Sequence, residues 1–363
     1  MSDTLSTTKV HNYSAGPCIL PQEVFQQASK AVLEYNGTGL SILEMSHRSK
    51  DIVAMTENAV ALVKEILNVP SGYSVLFLQG GASLQFYMSA LNFLSVDGKG
   101  GYIDTGVWSA KAIKEAKKIG DVEVLASSKD KNYNFIPKGF PIPSGLDFLH
   151  YTTNNTIYGI EFFETPKTDA VLIADMSSDI FSRPINVADY GLIYAGAQKN
   201  LGPAGVTLVI VKDELLGKTG RDIPSMLDYQ IHADKESMFN TPPVYPIYVS
   251  MLMLEWLKKN GGIDWIDKQN QTKSDLLYGE IDRNPLFKGK AVKEDRSRMN
   301  ATFALLDESK SEKFNEMLVS AKISGLKGHR SVGGFRASMY NALPLESVQV
   351  LVDVMKELEK TDG

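Results

Sequence analysis

One cysteine, Cys18, stands in a chain of 363 residues. That excludes an intrachain disulfide and any cysteine metal cluster, and it suits a cytoplasmic setting. The start, "MSDTLSTTKVHNYSAGP", lacks a basic stretch followed by an apolar core. No uninterrupted apolar segment reaches the roughly 18 residues of a membrane span, so no membrane role is expected. Excess positive charge is missing too. A net charge of -5 and a pI near 5.7 argue against a broad basic surface for nucleic acid, while leaving room for a local basic pocket that holds a small anion. Internal repeats and low-complexity tracts are absent, which excludes a solenoid and a disordered tail.

Familiar ligand signatures are also wanting. The glycine pair of "LQGGASLQF" is not GxGxxG, and "GKT" at 217–219 has Lys212 where a nucleotide phosphate loop needs its first glycine. The five histidines show no HExxH spacing, so no metal site is expected.

What is present is a core-forming composition, 43% hydrophobic and 22% charged, in a length that suggests about two domains. Helical spacing marks "PQEVFQQASKAVLEY" and "SKDIVAMTENAVALVKEILNV". Short apolar runs follow, among them "YSVLFLQ", "GGYIDT", "VEVLAS", "LDFLHYT", "DAVLIAD", "GLIYAG" and "GVTLVIV", interleaved with helix-like "SLQFYMSALNFL" and "VWSAKAIKEAKKIG". This predicts an α/β fold with a mostly parallel sheet. The composition shifts near "NGGIDWIDKQN". The expected organisation is an N-terminal arm at 1–20, a large domain at 21–260 and a smaller α+β domain at 261–363.

Ligands of such sheets bind beyond the carboxyl ends of the strands. The segments there are "GGAS" at 80–83, "TGVW" at 105–108, "TTNNT" at 152–156, "DMSS" at 175–178 and "GAQKN" at 196–200. Lys199 is the one lysine of "YAGAQKNLGPAG", on a glycine-bounded turn between two apolar runs. It is either a solvated turn residue or an amine made reactive by desolvation. A reactive amine of this kind condenses with a carbonyl, and pyridoxal phosphate, whose ring nitrogen is paired with an acid, is the natural partner. Asp175 is the acid in that reading and a turn or helix-capping aspartate in the plainer one. "LQGGASLQF" offers a strand, two glycines and free helix amides at Ala82 and Ser83 for a phosphate. Trp108 is either a core residue or a ring to stack on a planar cofactor. These residues and Thr156 follow successive strands in order, and that coincidence favours the reactive reading.

Beyond single residues, the chain resembles the phosphoserine aminotransferase family, of the type I fold of pyridoxal phosphate enzymes, along nearly its whole length. The resemblance is carried by "NYSAGPCILP", "EMSHRSK", "QGGASLQF", "DTGVWSAKA", "TTNNTIYGIEF", "ADMSSDI", "YAGAQKNLGPAG", "FNTPPVYPIY" and "GHRSVGGFRASMYNA". It implies Lys199 as the lysine that binds the cofactor, Asp175 at the pyridine nitrogen, Trp108 on the ring and Thr156 at the ring hydroxyl oxygen. Ala82, Ser83 and Gln198 hold the phosphate in that scheme, with Ser177 nearby and Asn240 and Thr241 supplied by the second subunit of a homodimer. Arg336 is implied at the substrate α-carboxylate, and His47, Arg48, His329 and Arg330 at the second anionic group. Some family members carry arginine at the position of Ser83, so the backbone role can survive here while one substrate-facing cation is missing.

The implied reaction interconverts O-phospho-L-serine and 2-oxoglutarate with 3-phosphohydroxypyruvate and L-glutamate, in serine biosynthesis. A related reaction on 4-phosphohydroxy-L-threonine serves pyridoxine synthesis. The rivals are another type I transaminase, such as one using serine or alanine with glyoxylate, and a non-catalytic binding protein. In "GFRASMY", alternation sets Arg336, Ser338 and Tyr340 on one face, which fits a functional face and a solvated one equally.

Overall fold

The computed structural model describes residues 9–362, so residues 1–8 of the expected arm lie outside it. The chain opens with a two-residue strand, β1 (His11–Asn12), and helix α1 (Gln22–Leu33). The buried residues of α1, Val24, Ala28 and Ala31, recur at helical spacing and so form one apolar stripe. Helix α2 (Lys50–Ile66) repeats the pattern with Ile52, Met55, Ala59 and Leu62.

Strands and helices then alternate. In order they are β2 (Tyr73–Leu78), α3 (Gly81–Phe93), β3 (Lys99–Asp104), α4 (Val107–Ala116), β4 (Asp121–Ser127) and β5 (Phe148–Thr152). A small hairpin of β6 (Asn154–Asn155) and β7 (Ile160–Glu161) interrupts the series. β8 (Val171–Asp175), β9 (Leu192–Gly196) and β10 (Thr207–Lys212) complete it. The sheet order is β2-β10-β9-β8-β5-β3-β4, and only β10 runs against its neighbours. The mostly parallel sheet expected from the apolar runs is therefore present.

Both faces of the sheet are covered, which is why its inner strands read as continuous apolar runs. On β9, Ile193 and Ala195 join one core with α1, α2 and α6 (Val244–Lys259), while Leu192 and Tyr194 join another with α3 and α4. Helix α6 is buried at every position from Ile247 to Leu254 and packs on α1 and α2. A short helix, α5 (Tyr229–Asp234), precedes α6. Asp228 caps it through its side chain, a local signal too short to register as a helix.

Helix α7 (Gly262–Arg283) leads into a three-stranded antiparallel sheet, in order β11-β12-β14, made of β11 (Phe287–Gly289), β12 (Asn300–Leu305) and β14 (Phe335–Ser338). Between β12 and β14 lie α8 (Ser311–Ser320) and β13 (Ile323–Ser324), and α9 (Leu345–Asp362) ends the chain. Phe303, Phe314 and Phe335 centre a third core, which also takes in Tyr13. β1 pairs in parallel with β13, so the described part of the arm is stitched to this region. Buried amides fasten it to the large sheet: Asn270 Nδ2 donates to Ser182 O and Asn341 Nδ2 to Phe181 O. Among the described residues no helix is long and apolar enough to cross a membrane.

Candidate active site

Five turns at the carboxyl ends of β2, β3, β5, β8 and β9 meet at one edge of the large sheet. After β2, Gly80 has φ 88° and a Cβ there would lie 2.5 Å from Leu84 Cδ2. Only glycine fits both the backbone and the space. The turn opens helix α3 without a side-chain cap, which leaves the first amides, including those of Ala82 and Ser83, free to bind an anion. After β3, Gly106 is pinned where a Cβ would meet Asn155 Nδ2 at 2.0 Å, and that amide donates to Thr105 O at 3.0 Å. This contact sets the start of α4 and with it Trp108, whose Nε1 is buried without a partner.

Lys199 is buried at 9% exposure, so it is not a solvated turn lysine. Its Nζ donates to Thr156 Oγ1 at 2.7 Å and lies 5.9 Å from the Trp108 ring centroid. Its backbone carbonyl accepts from Cys18 Sγ at 2.7 Å. Burial lowers the ammonium to about 8; the Arg336 charge adds to the fall and Asp175 opposes it. Asp175, at the end of β8, accepts from Ser177 Oγ at 2.6 Å and Ser177 N at 3.0 Å, both on Oδ1. Burial pushes this carboxyl up, while the Ser177 bonds and the Lys199 charge hold it down. Ser177 Oγ in turn accepts from Gly196 N, tying β8 to the lysine turn.

These groups enclose a cavity of about 130 Å³ lined by Ala82, Ser83, Trp108, Asp175, Gln198 and Lys199, with Ser177 in its wall. A larger hollow of about 870 Å³, beside Pro143, Thr165 and Asp189, contains none of the residues singled out from sequence. Size alone therefore does not mark the site; the convergence of an amine, an acid and free amides does.

Arg336 comes from β14, with Nε buried and unpaired. Ser338 Oγ and Tyr340 Oη both accept from Asn300 Nδ2, so the polar face of "GFRASMY" turns inward rather than to solvent. His329 is held below its ordinary value by burial first and then by the charges of Arg336, Arg330 and Lys111. The remaining predicted residues stand apart. His47 is buried with Nε2 unpaired and Arg48 is exposed, both just before α2, and no hydrogen bond or ion pair ties either to the lysine turn. Asn240 and Thr241 engage the chain's own Gln79, through Asn240 Nδ2 to Gln79 Oε1 at 3.2 Å and Gln79 Nε2 to Thr241 O at 2.8 Å. They adjoin the glycine turn without lining the cavity.

Sequence reasoning passed over Asn154 and Ser178, which also line the cavity. They hold each other, with Asn154 Nδ2 donating to Ser178 Oγ at 2.8 Å, and the same amide reaches Asn300 on β12. Their signal was the run of polar residues in "TTNNT" and "DMSS". Among the described residues no group of His, Cys, Asp and Glu is placed to hold a metal ion.

Residues 10–351 match the family model described as Aminotransferase class-V. The chain belongs to the class V aminotransferase family. It is 61% identical to a phosphoserine aminotransferase of Flavobacterium psychrophilum, over 97% of this chain and 99% of that one. Among solved structures it resembles the phosphoserine aminotransferase from Bacillus circulans subsp. alkalophilus, at 43% identity and a TM-score of 0.95, covering 98% of this chain and 99% of that one. It also resembles the pyridoxal phosphate-bound phosphoserine aminotransferase from Trichomonas vaginalis, at 36% identity and a TM-score of 0.91, covering 96% and 100%. The fold is thus the type I fold of pyridoxal phosphate enzymes. The family's cofactor suits the donor set: an unhindered helix N-terminus for its phosphate, an indole for its ring, a buried carboxyl for its ring nitrogen and a buried amine for its aldehyde.

Proposed function

We propose that the chain catalyses transamination between O-phospho-L-serine and 2-oxoglutarate, giving 3-phosphohydroxypyruvate and L-glutamate, a step of serine biosynthesis. The observation that carries this is the buried Lys199 amine, its basicity lowered by burial, sharing with Asp175 the wall of a cavity that Ala82, Ser83 and Trp108 also line. The printed names of the relatives support the substrate.

In this reading Ala82, Ser83 and Gln198 hold the cofactor phosphate, Trp108 covers its ring, Thr156 meets the ring hydroxyl oxygen, and Asp175, steadied by Ser177, pairs with the ring nitrogen. Bound there, pyridoxal phosphate supplies an electron sink for the bond electrons released at an amino acid's α-carbon. Arg336 forks onto the substrate α-carboxylate, and its buried, unpaired Nε gives that bond a strong donor. Lys199 Nζ accepts the α-proton and redelivers it, a task that needs an amine titrating near the working pH. His47, Arg48, His329 and Arg330 receive the second anion. The protein is placed in the cytoplasm, where its single thiol stays reduced.

We further infer a symmetric dimer in which Asn240 and Thr241 complete the partner's phosphate site. Thr241 is exposed, beside the half-exposed Phe239, at the rim of the glycine turn. Mixing an inactive Lys199→Ala subunit with one carrying bulky residues at 240 and 241 should restore one good site per mixed dimer. Inactive mixed dimers would refute sharing.

The reaction itself is tested by a coupled assay of purified protein with 2-oxoglutarate and either phosphoserine or serine. Phosphoserine should be favoured by about ten- to a hundredfold in kcat/KM, the worth of a charge-assisted contact. A preference for unphosphorylated serine or alanine with glyoxylate would select the rival transaminase.

A further inference from the structure

Beside Trp108, on α4, stands a lysine that has no acidic partner among the described residues. Lys111 stands three residues beyond Trp108 on α4, so both share one helix face. Its Nζ lies 4.6 Å from the Trp108 ring centroid. The same cation is felt at His329, together with Arg330 and Arg336, although Lys111 belongs to the large layer and the other three to the β13–β14 region. Among the described residues, no carboxylate lies within 4.0 Å of Lys111, Arg330 or Arg336, whereas the half-buried arginines Arg183, Arg296 and Arg298 all have acidic partners. Like charges brought together in a partly desolvated place repel one another unless an anion enters. Lys111 is exposed and its ammonium sits over the indole, so the head is free to swing from the ring onto a ligand.

We propose that Lys111 is a specificity-determining residue whose ammonium binds the second anionic group of the substrate, the phosphate monoester of phosphoserine or the side-chain carboxylate of glutamate, leaving Arg336 to the α-carboxylate. This rests on the function proposed above. A dianion is better satisfied by several cations than by one, and lysine supplies a mobile point charge where Arg336 supplies a fixed fork. The plainer alternative is that Lys111 only covers Trp108 through a cation–π contact.

The test uses holoenzyme with Lys111→Met, which keeps the apolar stem over the indole, and Lys111→Arg, which keeps the charge. Unchanged absorption of the bound cofactor establishes that each variant is folded and loaded. For Lys111→Met, the preference for phosphoserine over serine should fall about tenfold through KM, with kcat/KM on serine unchanged. Affinity of the holoenzyme for inorganic phosphate, measured by calorimetric titration, should fall by a similar factor, and Lys111→Arg should restore both. An unchanged preference in Lys111→Met, or equal losses on phosphoserine and serine, overturns the assignment. If the unmodified enzyme itself fails to prefer phosphoserine, the functional reading falls and Lys111 falls with it; a clear preference that Lys111→Met leaves intact sinks Lys111 alone.

Discussion

Two lysines are buried among the described residues, one at the edge of the large sheet and one in the seam between α7 and the small sheet. Lys199 is 9% exposed and Lys273 is 1% exposed. Burial lowers Lys199 to about 8 and Lys273, on α7, to about 7. By burial and basicity alone Lys273 is the more perturbed of the two. Yet its Nζ donates to Met339 O at 3.0 Å and Tyr340 O at 2.9 Å and borders none of the described cavities. Lys199 donates to one hydroxyl, faces Asp175 and opens on a cavity. A depressed lysine therefore reports desolvation; empty space and an acid opposite are what make the amine reactive. Lys273 instead anchors the backbone that follows Arg336.

The sharpest way to break this comparison is to remove each amine in turn. Lys199→Ala should keep the fold and lose at least about 10³-fold in turnover, because the group proposed to move the proton is gone. Lys273→Ala should keep the visible absorption of bound cofactor but lose about 2 to 5 kcal/mol of stability in denaturant titrations, since two buried carbonyls lose their donor and a cavity opens. Loss of cofactor absorption in the Lys273 variant, with stability intact, would reverse the roles.

A smaller effect sharpens the comparison at the substrate end. Arg336→Lys should cost about ten- to a hundredfold in kcat/KM for every amino-acid substrate, because a point charge replaces a bidentate fork on the shared α-carboxylate. Arg48→Ala should weaken mainly substrates with a second anion. Steady-state kinetics on phosphoserine and serine separates the two, and equal losses at both positions would contradict the division.

The smallest effect is in pH. Lys199 titrates at about 8 in the folded chain against an ordinary 10.5. Between those values the unfolded chain holds a proton that the folded one has lost, so stability of the cofactor-free protein rises with pH across that window. Denaturant midpoints at pH 7.5 and 9.5 should therefore separate more for the unaltered protein than for Lys199→Met. An equal pH response would show that Lys199 is not desolvated in solution.

Much of this was legible in the chain because function here interrupts a pattern. Apolar strands broken by "GGAS", "TGVW", "DMSS" and "GAQKN" announce both the sheet and its working edge. Asn154 was not legible, since its meaning depends on Asn300, 146 residues away. Lys273 sits among polar residues of α7 and reads as part of a solvated helix face, whereas packing buries it. β11 was missed because three residues, Phe287, Lys288 and Gly289, carry no alternation of their own and are recruited by pairing with β12. For "GFRASMY" the alternation was readable but its direction was not, because only the fold decides which face meets solvent.

The central claim, that Lys199 rather than any other buried amine carries the cofactor, is tested most directly by borohydride reduction of the pyridoxal phosphate-loaded protein followed by peptide mapping. Reduction fixes the cofactor covalently to the amine that holds it. The account predicts one labelled peptide, bearing the label on Lys199 and none on Lys273. A label on Lys273 or on another lysine, or no label on a protein that binds the cofactor, would contradict it.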